Sequence, residues 1–334
     1  MKRRLLLVDG TNFFFKGNWG THDLTLNGES IKCLYSFHLN LPALIRKFED
    51  NEWDLTVILG WDGGYEERAR ISTEAVEAGI IPKSYKQERR EARAQEDDEE
   101  KEKCNFIKQL SMAEELLSYT RICQVRIKGE EADDVIGSLC KSNLGKWDDI
   151  VIVTTDKDYY QLLWDGVRIY NSTRDEFYDK NILFEKYGLE KADQWIDVGA
   201  LAGETGPSSD TIYGVPGIGT LTACKLIQQY KSVEGIFKKA EEYFRDYLSK
   251  HGYETFREKI RSGEYKPSHL REARVLAYKD VLEVAFQLKK IHTDINVLIP
   301  KPTPNWRELE KFFNRMRFQF SQKNFNTLLR RGED

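Results

Sequence analysis

Residues 4–9, 55–62 and 150–156 read RLLLVD, LTVILGWD and IVIVTTD, three short apolar runs that each close on an aspartate. Runs of Val, Ile and Leu this continuous, separated by stretches long enough for crossover helices, predict strands of a parallel sheet covered on both faces. A fourth run, residues 167–170 (VRIY), predicts another strand of the same sheet. In an open α/β sheet ligands bind outside the carboxyl ends of the strands. Asp9, Asp62 and Asp156 are therefore predicted to line one crevice.

The chain has 334 residues, enough for one large α/β domain or for an α/β domain with a smaller helical one. With 40% hydrophobic and 32% charged residues it reads as a soluble globular protein with a heavily charged surface, not as a disordered one. The apolar run Leu5-Leu6-Leu7-Val8 stops at Asp9, so Lys2-Arg3-Arg4 begins neither a secretory signal nor a membrane span, and a cytoplasmic location is expected. Five cysteines, odd in number and without a C-x-x-C pair, argue against a disulfide framework and a zinc site; the five histidines show no metal-ligand spacing. Any metal is expected to be hard and oxygen-liganded.

A net charge of −4 hides strong local asymmetry. Residues 83–103 (KSYKQERREARAQEDDEEKEK) hold seven cations, gathered early, and eight anions, with an acidic block at 96–100. Such a segment cannot be core, and its good helix formers predict an exposed, partly helical, mobile loop. An amphipathic helix over 104–119 follows, with Phe106, Leu110, Ala113, Leu116 and Leu117 at helical spacing. Gly214-Val215-Pro216-Gly217-Ile218-Gly219 opens a helix near Leu221, whose apolar positions are Ala223, Leu226 and Ile227. Glycines there either mark a helix entrance or let phosphate approach backbone N–H groups. Residues 301–331 carry eight Lys/Arg and two Glu among Trp306, Phe312, Phe313, Phe318, Phe320 and Phe325. These aromatics are either the apolar face of a closing helix or a DNA-contacting surface.

Gly129-Glu130-Glu131-Ala132-Asp133-Asp134 packs four acids into five positions just before an apolar helical run. The helix dipole favours acids there, but capping needs one or two, not four. Glu131 and Asp134 are expected to share a face and point at one ion. Asp156-Lys157-Asp158 follows the third strand, and two carboxylates so close would need cations to offset their repulsion. Oxygen-only ligands suit Mg²⁺ or Mn²⁺, and the acids present suffice for two ions, the usual apparatus for phosphodiester hydrolysis.

Val8-Asp9-Gly10-Thr11-Asn12, Glu131-Ala132-Asp133-Asp134, Thr155-Asp156-Lys157-Asp158, and Ser208-Ser209-Asp210 followed by the Gly214–Gly219 turn stand in an order that resembles the 5′-nuclease family: flap endonucleases, the 5′-nuclease domain of DNA polymerase I, and stand-alone phage 5′-3′ exonucleases and ribonuclease H. Leu288-Lys289-Lys290-Ile291-His292-Thr293-Asp294 resembles a segment of the polymerase-type members. The resemblance runs from Leu5 to about Phe320. It implies a PIN-like α/β fold with a central, mostly parallel sheet, a helical arch and a helix-three-turn-helix DNA-binding element. The expected division is a nuclease part over 1–200, with the arch at about 83–107, and a helical DNA-binding part over 201–334. The latter would hold the helix-three-turn-helix at about 203–237 and the basic C-terminal tail.

By that resemblance Asp9, Asp62, Glu131, Asp133 and Asp134 match the first metal site and Asp156 and Asp158 the second. Lys86 matches the phosphate-contacting lysine of the arch, acting with Asp9, Asp62, Asp134 and Asp156 in catalysis. Lys83, Arg89, Arg90, Arg93, Gly214, Gly217, Gly219 and Lys225 are the expected DNA contacts, and a K⁺ ion is implied at the helix-three-turn-helix. The implied activity is two-metal, structure-specific 5′-3′ exonuclease and flap-endonuclease hydrolysis of DNA in primer or flap removal. A monomer acting on 5′ ends, flaps or nicks, or on RNA–DNA hybrids, with replication proteins as partners, goes with it. A free-standing, phage-type enzyme is expected because the sequence ends at Asp334, and no membrane association is. One departure concerns Gly203-Glu204-Thr205-Gly206-Pro207-Ser208-Ser209-Asp210, where the family reads Gly-Asp-x-x-Asp. Asp210 is an expected ligand; Glu204 either bridges the altered geometry or faces solvent. Two rival readings are a DNA-binding module without catalysis and a metal-dependent phosphohydrolase of small molecules.

Overall fold

The computed structural model describes residues 1–17, 24–50, 52–94, 106–319 and 321–329, with the side chains of residues 93 and 94 left out. Its strands are β1 (Lys2–Asp9), β2 (Thr25–Leu26), β3 (Glu29–Ser30), β4 (Trp53–Trp61), β5 (Cys123–Arg126), β6 (Asp149–Val153), β7 (Val167–Asn171) and β8 (Glu176–Tyr178). Six of them form one sheet in the order β5-β4-β1-β6-β7-β8, parallel throughout except for β8, while β2 and β3 make a separate small hairpin. The chain grows outward from β1 first through β4 and β5, then through β6 and β7. The order reverses at β1, where such sheets place their ligand crevice.

Neighbouring residues of β1 point to opposite faces, and both faces are covered. Leu5 and Leu7 join a core with Ile58, Ile150, Ile152 and α6 (Ala132–Asn143), whereas Leu6 and Val8 join one with Leu59, Val151, α2 (Lys32–Phe48) and α5 (Phe106–Ser118). The predicted fourth strand is β7. Two strands carry too little signal to read in advance: β5 has four residues with one buried, and β8 has three. The third run also ends its strand early, at Val153, which leaves Asp156 on a turn beyond it.

The other helices, in chain order, are α1 (Gly10–Phe15), α3 (Glu66–Glu77) and α4 (Gln87–Ala94), then α7 (Asn181–Tyr187), α8 (Gln194–Ala202), α9 (Thr220–Tyr230), α10 (Val233–Tyr243), α11 (Arg245–His251), α12 (Tyr253–Ser262), α13 (Leu270–Ala277), α14 (Lys279–Lys289), α15 (Trp306–Met316) and α16 (Gln322–Leu329). The helix expected over 104–119 is α5; its first two residues, like the acidic block at 96–100, lie outside the described residues. Helices α15 and α16 return to the α2 face of the sheet, burying Phe312, Phe313, Phe318 and Phe325, with Phe318 stacked on His38 at 4.0 Å. The tail aromatics, Phe320 aside as it is not described, are thus mostly core, with Trp306 left partly exposed. No described helix is long and apolar enough to cross a membrane.

Candidate active site

Side-chain caps draw the strand ends and the helix starts together. Asp9, the last residue of β1, accepts from Asn12 N–H at 3.0 Å and so starts α1, and its other oxygen accepts from the Thr154 hydroxyl at 3.3 Å. Asp62 donates its N–H to the Thr11 hydroxyl at 3.0 Å, and its Oδ1 accepts from Ala132 N–H at 2.8 Å, which starts α6. Beyond β6 the Asn12 amide oxygen accepts from Thr155, both N–H (3.2 Å) and hydroxyl (2.9 Å). Asp156 Oδ1 then accepts from Asp158 N–H at 2.9 Å. A 3₁₀ turn, Asp158–Leu162, follows.

Two kinds of acid result. In the first group, among the described residues, a protein cation reaches only Asp133, where Arg68 stands 3.8 Å away. Burial, then the Asp62 charge, pushes Asp9 up to about 7. Asp156 opens on one edge to solvent, yet the surrounding protein and then Asp158 raise it to about 8. Asp133 is held well above the usual carboxylate range by burial and, against the opposing Arg68, by Asp134 and Glu131. Among the described residues no ion pair reaches Asp9, Asp62 or Asp156. The Tyr159 hydroxyl is buried beside Asp9, without hydrogen-bond geometry to any partner. Next to Asp156 the crevice widens into a cleft of about 370 Å³ bordered by Lys16, Arg174 and Tyr178.

In the second group every acid already has a protein cation. Glu131 and Asp134 do share a face, but the ion they meet is the guanidinium of Arg68. Its Nη1 lies 2.8 Å from Glu131 Oε2 and its Nη2 2.9 Å from Asp134 Oδ1, with Nη1 also on Asp134 Oδ2. Lys86 pairs with the second oxygen of Glu131, and Tyr85 donates its hydroxyl to Glu131 at 3.1 Å and to Asp210 at 3.2 Å. Asp210 also faces Arg89 at 3.3 Å and Lys86 at 4.0 Å. Lys289 Nζ bridges Asp158 (3.0 and 3.2 Å) and Glu204 (2.6 Å). The sequence reading missed Arg68, Lys289 and Tyr159. Only the Leu288–Asp294 segment gave any sign of the second.

The longer loop has a definite shape. Glu204 and Ile212 exchange backbone hydrogen bonds of 2.6 Å each, closing residues 205–211 into a loop that brings Asp210 N–H to 3.4 Å from Glu204 Oε1. Gly203 turns the chain at φ 63°, and a Cβ on Gly214 would lie 2.4 Å from Gly203 N, so Gly214 makes room for this turn. A Cβ on Gly217 would meet Arg274, while Gly219, the N-cap of α9, faces open space. Lys225 is exposed on the same helix. Of the arch cations, Lys83 pairs with Glu91 at 2.7 Å and Arg90 donates to the Tyr65 hydroxyl at 3.0 Å. Lys86 and Arg89 turn inward to the acids, and the Arg93 side chain lies outside the described residues.

Known proteins resemble the chain in sequence and in fold. DNA polymerase I of Thermus thermophilus is 29% identical over 321 residues, 95% of this chain but 32% of the polymerase, so the chain spans about a third of its length. A 5′-3′ exonuclease of Aquifex aeolicus is 26% identical over 297 residues, covering 88% of this chain and 84% of that protein. The zinc-bound T5 5′-exonuclease shares the fold, with a TM-score of 0.65, 23% identity and coverage of 94% and 98%. Residues 4–188 match the model of the 5′-3′ exonuclease N-terminal resolvase-like domain and residues 190–311 that of the 5′-3′ exonuclease C-terminal SAM fold. The chain therefore belongs to the 5′-3′ exonuclease family.

Proposed function

We propose that the chain hydrolyses DNA phosphodiester bonds at 5′ ends, flaps or nicks, using Mg²⁺ or Mn²⁺ held by Asp9, Asp62, Asp133 and Asp156, in primer or flap removal. The carrying observation is the first group of acids: carboxylates from two strand ends, a turn and a helix start converge, those of Asp9, Asp133 and Asp156 with raised pKa values, and among the described residues all but Asp133 are without an ion-pair partner. Only oxygen donors are offered, which fits these ions. When bound, such an ion supplies an acidified water and charge stabilisation at the leaving oxygen. A T5 flap endonuclease solved with DNA and metal ions has the same fold and supports the reading. Lys83, Arg89, Arg90 and Arg93 on the arch, with Gly217, Gly219 and Lys225 at the start of α9, are the proposed DNA contacts. Gly214 belongs with them through the shape of its turn. The test is incubation with flap, nicked, single-stranded and RNA–DNA substrates, each with Mg²⁺ and with excess EDTA, and mapping of product ends. Full cleavage in EDTA would sink the proposal.

Metal removal also has a stability signature. Asp9 and Asp156 keep their protons in the folded protein until about pH 7 and 8, whereas the unfolded chain loses them near the ordinary value of 3.8. The folded state then binds more protons in that window, so these two groups make stability fall as pH rises from roughly 4 to 8 and level off above. A divalent cation removes the penalty. Melting curves from pH 5 to 9 are expected to diverge with rising pH, the Mg²⁺ sample staying higher than the EDTA sample. Parallel curves would remove these aspartates from the ion site.

Lys86 has a positive φ of 56°, its ammonium lies over the rings of Tyr65 (5.1 Å) and Tyr85 (5.0 Å), and its N–H bonds to Asp210 O at 2.8 Å. Burial would lower its pKa, but Glu131 and Asp210 hold it above the usual lysine value, so it stays charged. That placement suits a cation aimed at charge developing on the scissile phosphate. Lys86→Ala is expected to lower the single-turnover rate by about 10²–10³ and DNA affinity much less. An unchanged rate would assign Lys86 to holding the acids alone.

A further inference from the structure

Lys289 is the last residue of α14, and only 6% of its side chain is accessible. An ammonium has three N–H donors. All three are spent on carboxylate oxygens: both of Asp158, at 3.0 and 3.2 Å, and Oε2 of Glu204, at 2.6 Å. The route to that position is built. In α8, Gly199 leaves bare backbone where a Cβ would sit 3.3–3.5 Å from the Lys289 Cδ, Cγ and Cε atoms, so the stem lies along the helix. The helix end is pinned as well, because Gln161 donates to the Lys289 carbonyl at 3.0 Å and accepts from Ile291 N–H at 2.9 Å. The neighbouring Lys290 is exposed, so the inward turn belongs to one lysine of the pair.

The resemblance gave Asp156 and Asp158 to a second ion, with Asp210 an expected ligand and Glu204 left open; here Asp210 faces Arg89 and Lys86. The donor set is present, yet Asp158 and Glu204 already share one ammonium. A divalent ion would need the same carboxylate oxygens and would stand within a few ångströms of a buried ammonium, where like-charge repulsion is large. Mg²⁺ also keeps several waters in a near-octahedral shell. The slot filled by Lys289 holds a bare ammonium instead.

We infer that Lys289 is a built-in cation: its ammonium occupies the place between Asp158 and Glu204, so this chain binds one divalent ion tightly, at the Asp9–Asp156 group, and not two. The loop that carries Glu204 and the lysine that meets it form one device. The inference rests on the nuclease reading above, since it presupposes that the first group of acids holds an ion.

The test is a titration of the metal-stripped full chain with Mn²⁺ alone, free Mn²⁺ being followed by electron paramagnetic resonance. Wild type is expected to show one tight site. Lys289→Met keeps the stem and removes the charge, and it should gain a second site; its melting temperature should rise more with Mn²⁺ than that of wild type. Adding Glu204→Gln should take the gained site away again. Two tight sites in wild type, or one site in both wild type and a folded Lys289→Met, would overturn the inference. If the variant does not fold, the wild-type count decides alone. No Mn²⁺ bound to wild type would sink the metal-dependent reading itself, a different failure.

Discussion

Asp156→Asn is expected to lower the single-turnover cleavage rate by about a thousandfold or more while leaving DNA affinity equal or higher. Losing a ligand charge from the ion site costs several kcal/mol of transition-state stabilisation, and each 1.4 kcal/mol is about tenfold in rate. The fold should survive the change. Asp156 has one structural duty, accepting from Asp158 N–H at 2.9 Å, and an asparagine oxygen can do the same. Affinity should not suffer, because the substitution takes away a negative charge that faces the phosphate backbone. Single-turnover cleavage beside equilibrium binding of the same substrate separates the two quantities. If affinity collapsed along with rate, Asp156 would be a support of the turn after β6 rather than a ligand.

The acids at strand ends were legible because the signal is local. An apolar run that closes on an aspartate states both the strand and the position of the carboxylate, and this held for Asp9 directly, for Asp62 one residue past its strand and for Asp156 three residues past. What was not legible is which acids remain without a cation. Arg68 sits in the stretch EERARIS, which reads as an ordinary solvated helix face, yet it is 3% exposed and grips acids more than sixty residues away. Lys289 and Lys290 look alike in sequence; the choice between them is made by Gly199 and Gln161, which only the packed helices bring near. Charge pairing over such distances leaves no periodicity to read. In the tail the pattern left two readings of the aromatics open, and the packing takes the helix-face one: Phe312, Phe313 and Phe325 close the core on the α2 face.

Arg68→Met is expected to destabilise the protein by roughly 3–5 kcal/mol, the usual cost of removing one partner from a buried ion pair, which is on the order of 10 °C in Tm. Arg68 does more than pair charges. From α3 it holds Glu131 and Asp134 at the start of α6, and it donates to the carbonyls of Leu288 and Lys290, both at 3.1 Å, at the end of α14. Three elements therefore converge on one guanidinium. Methionine fills much of the same volume, so the loss comes from two carboxylates that each lose a charged donor and two carbonyls that lose theirs in a dry place. Asp134 is 1% exposed and keeps one further donor, His292 N–H at 2.7 Å, which an amide oxygen can also accept. The double variant Arg68→Met with Asp134→Asn should accordingly recover part of the loss, giving a coupling energy above about 1 kcal/mol in a double-mutant cycle. Denaturant unfolding of the four proteins in EDTA measures it. A single-variant loss under about 1 kcal/mol, or additive effects in the cycle, would mean that solvent reaches these acids and that Arg68 does not set the geometry on which the Lys86 and Lys289 contacts depend.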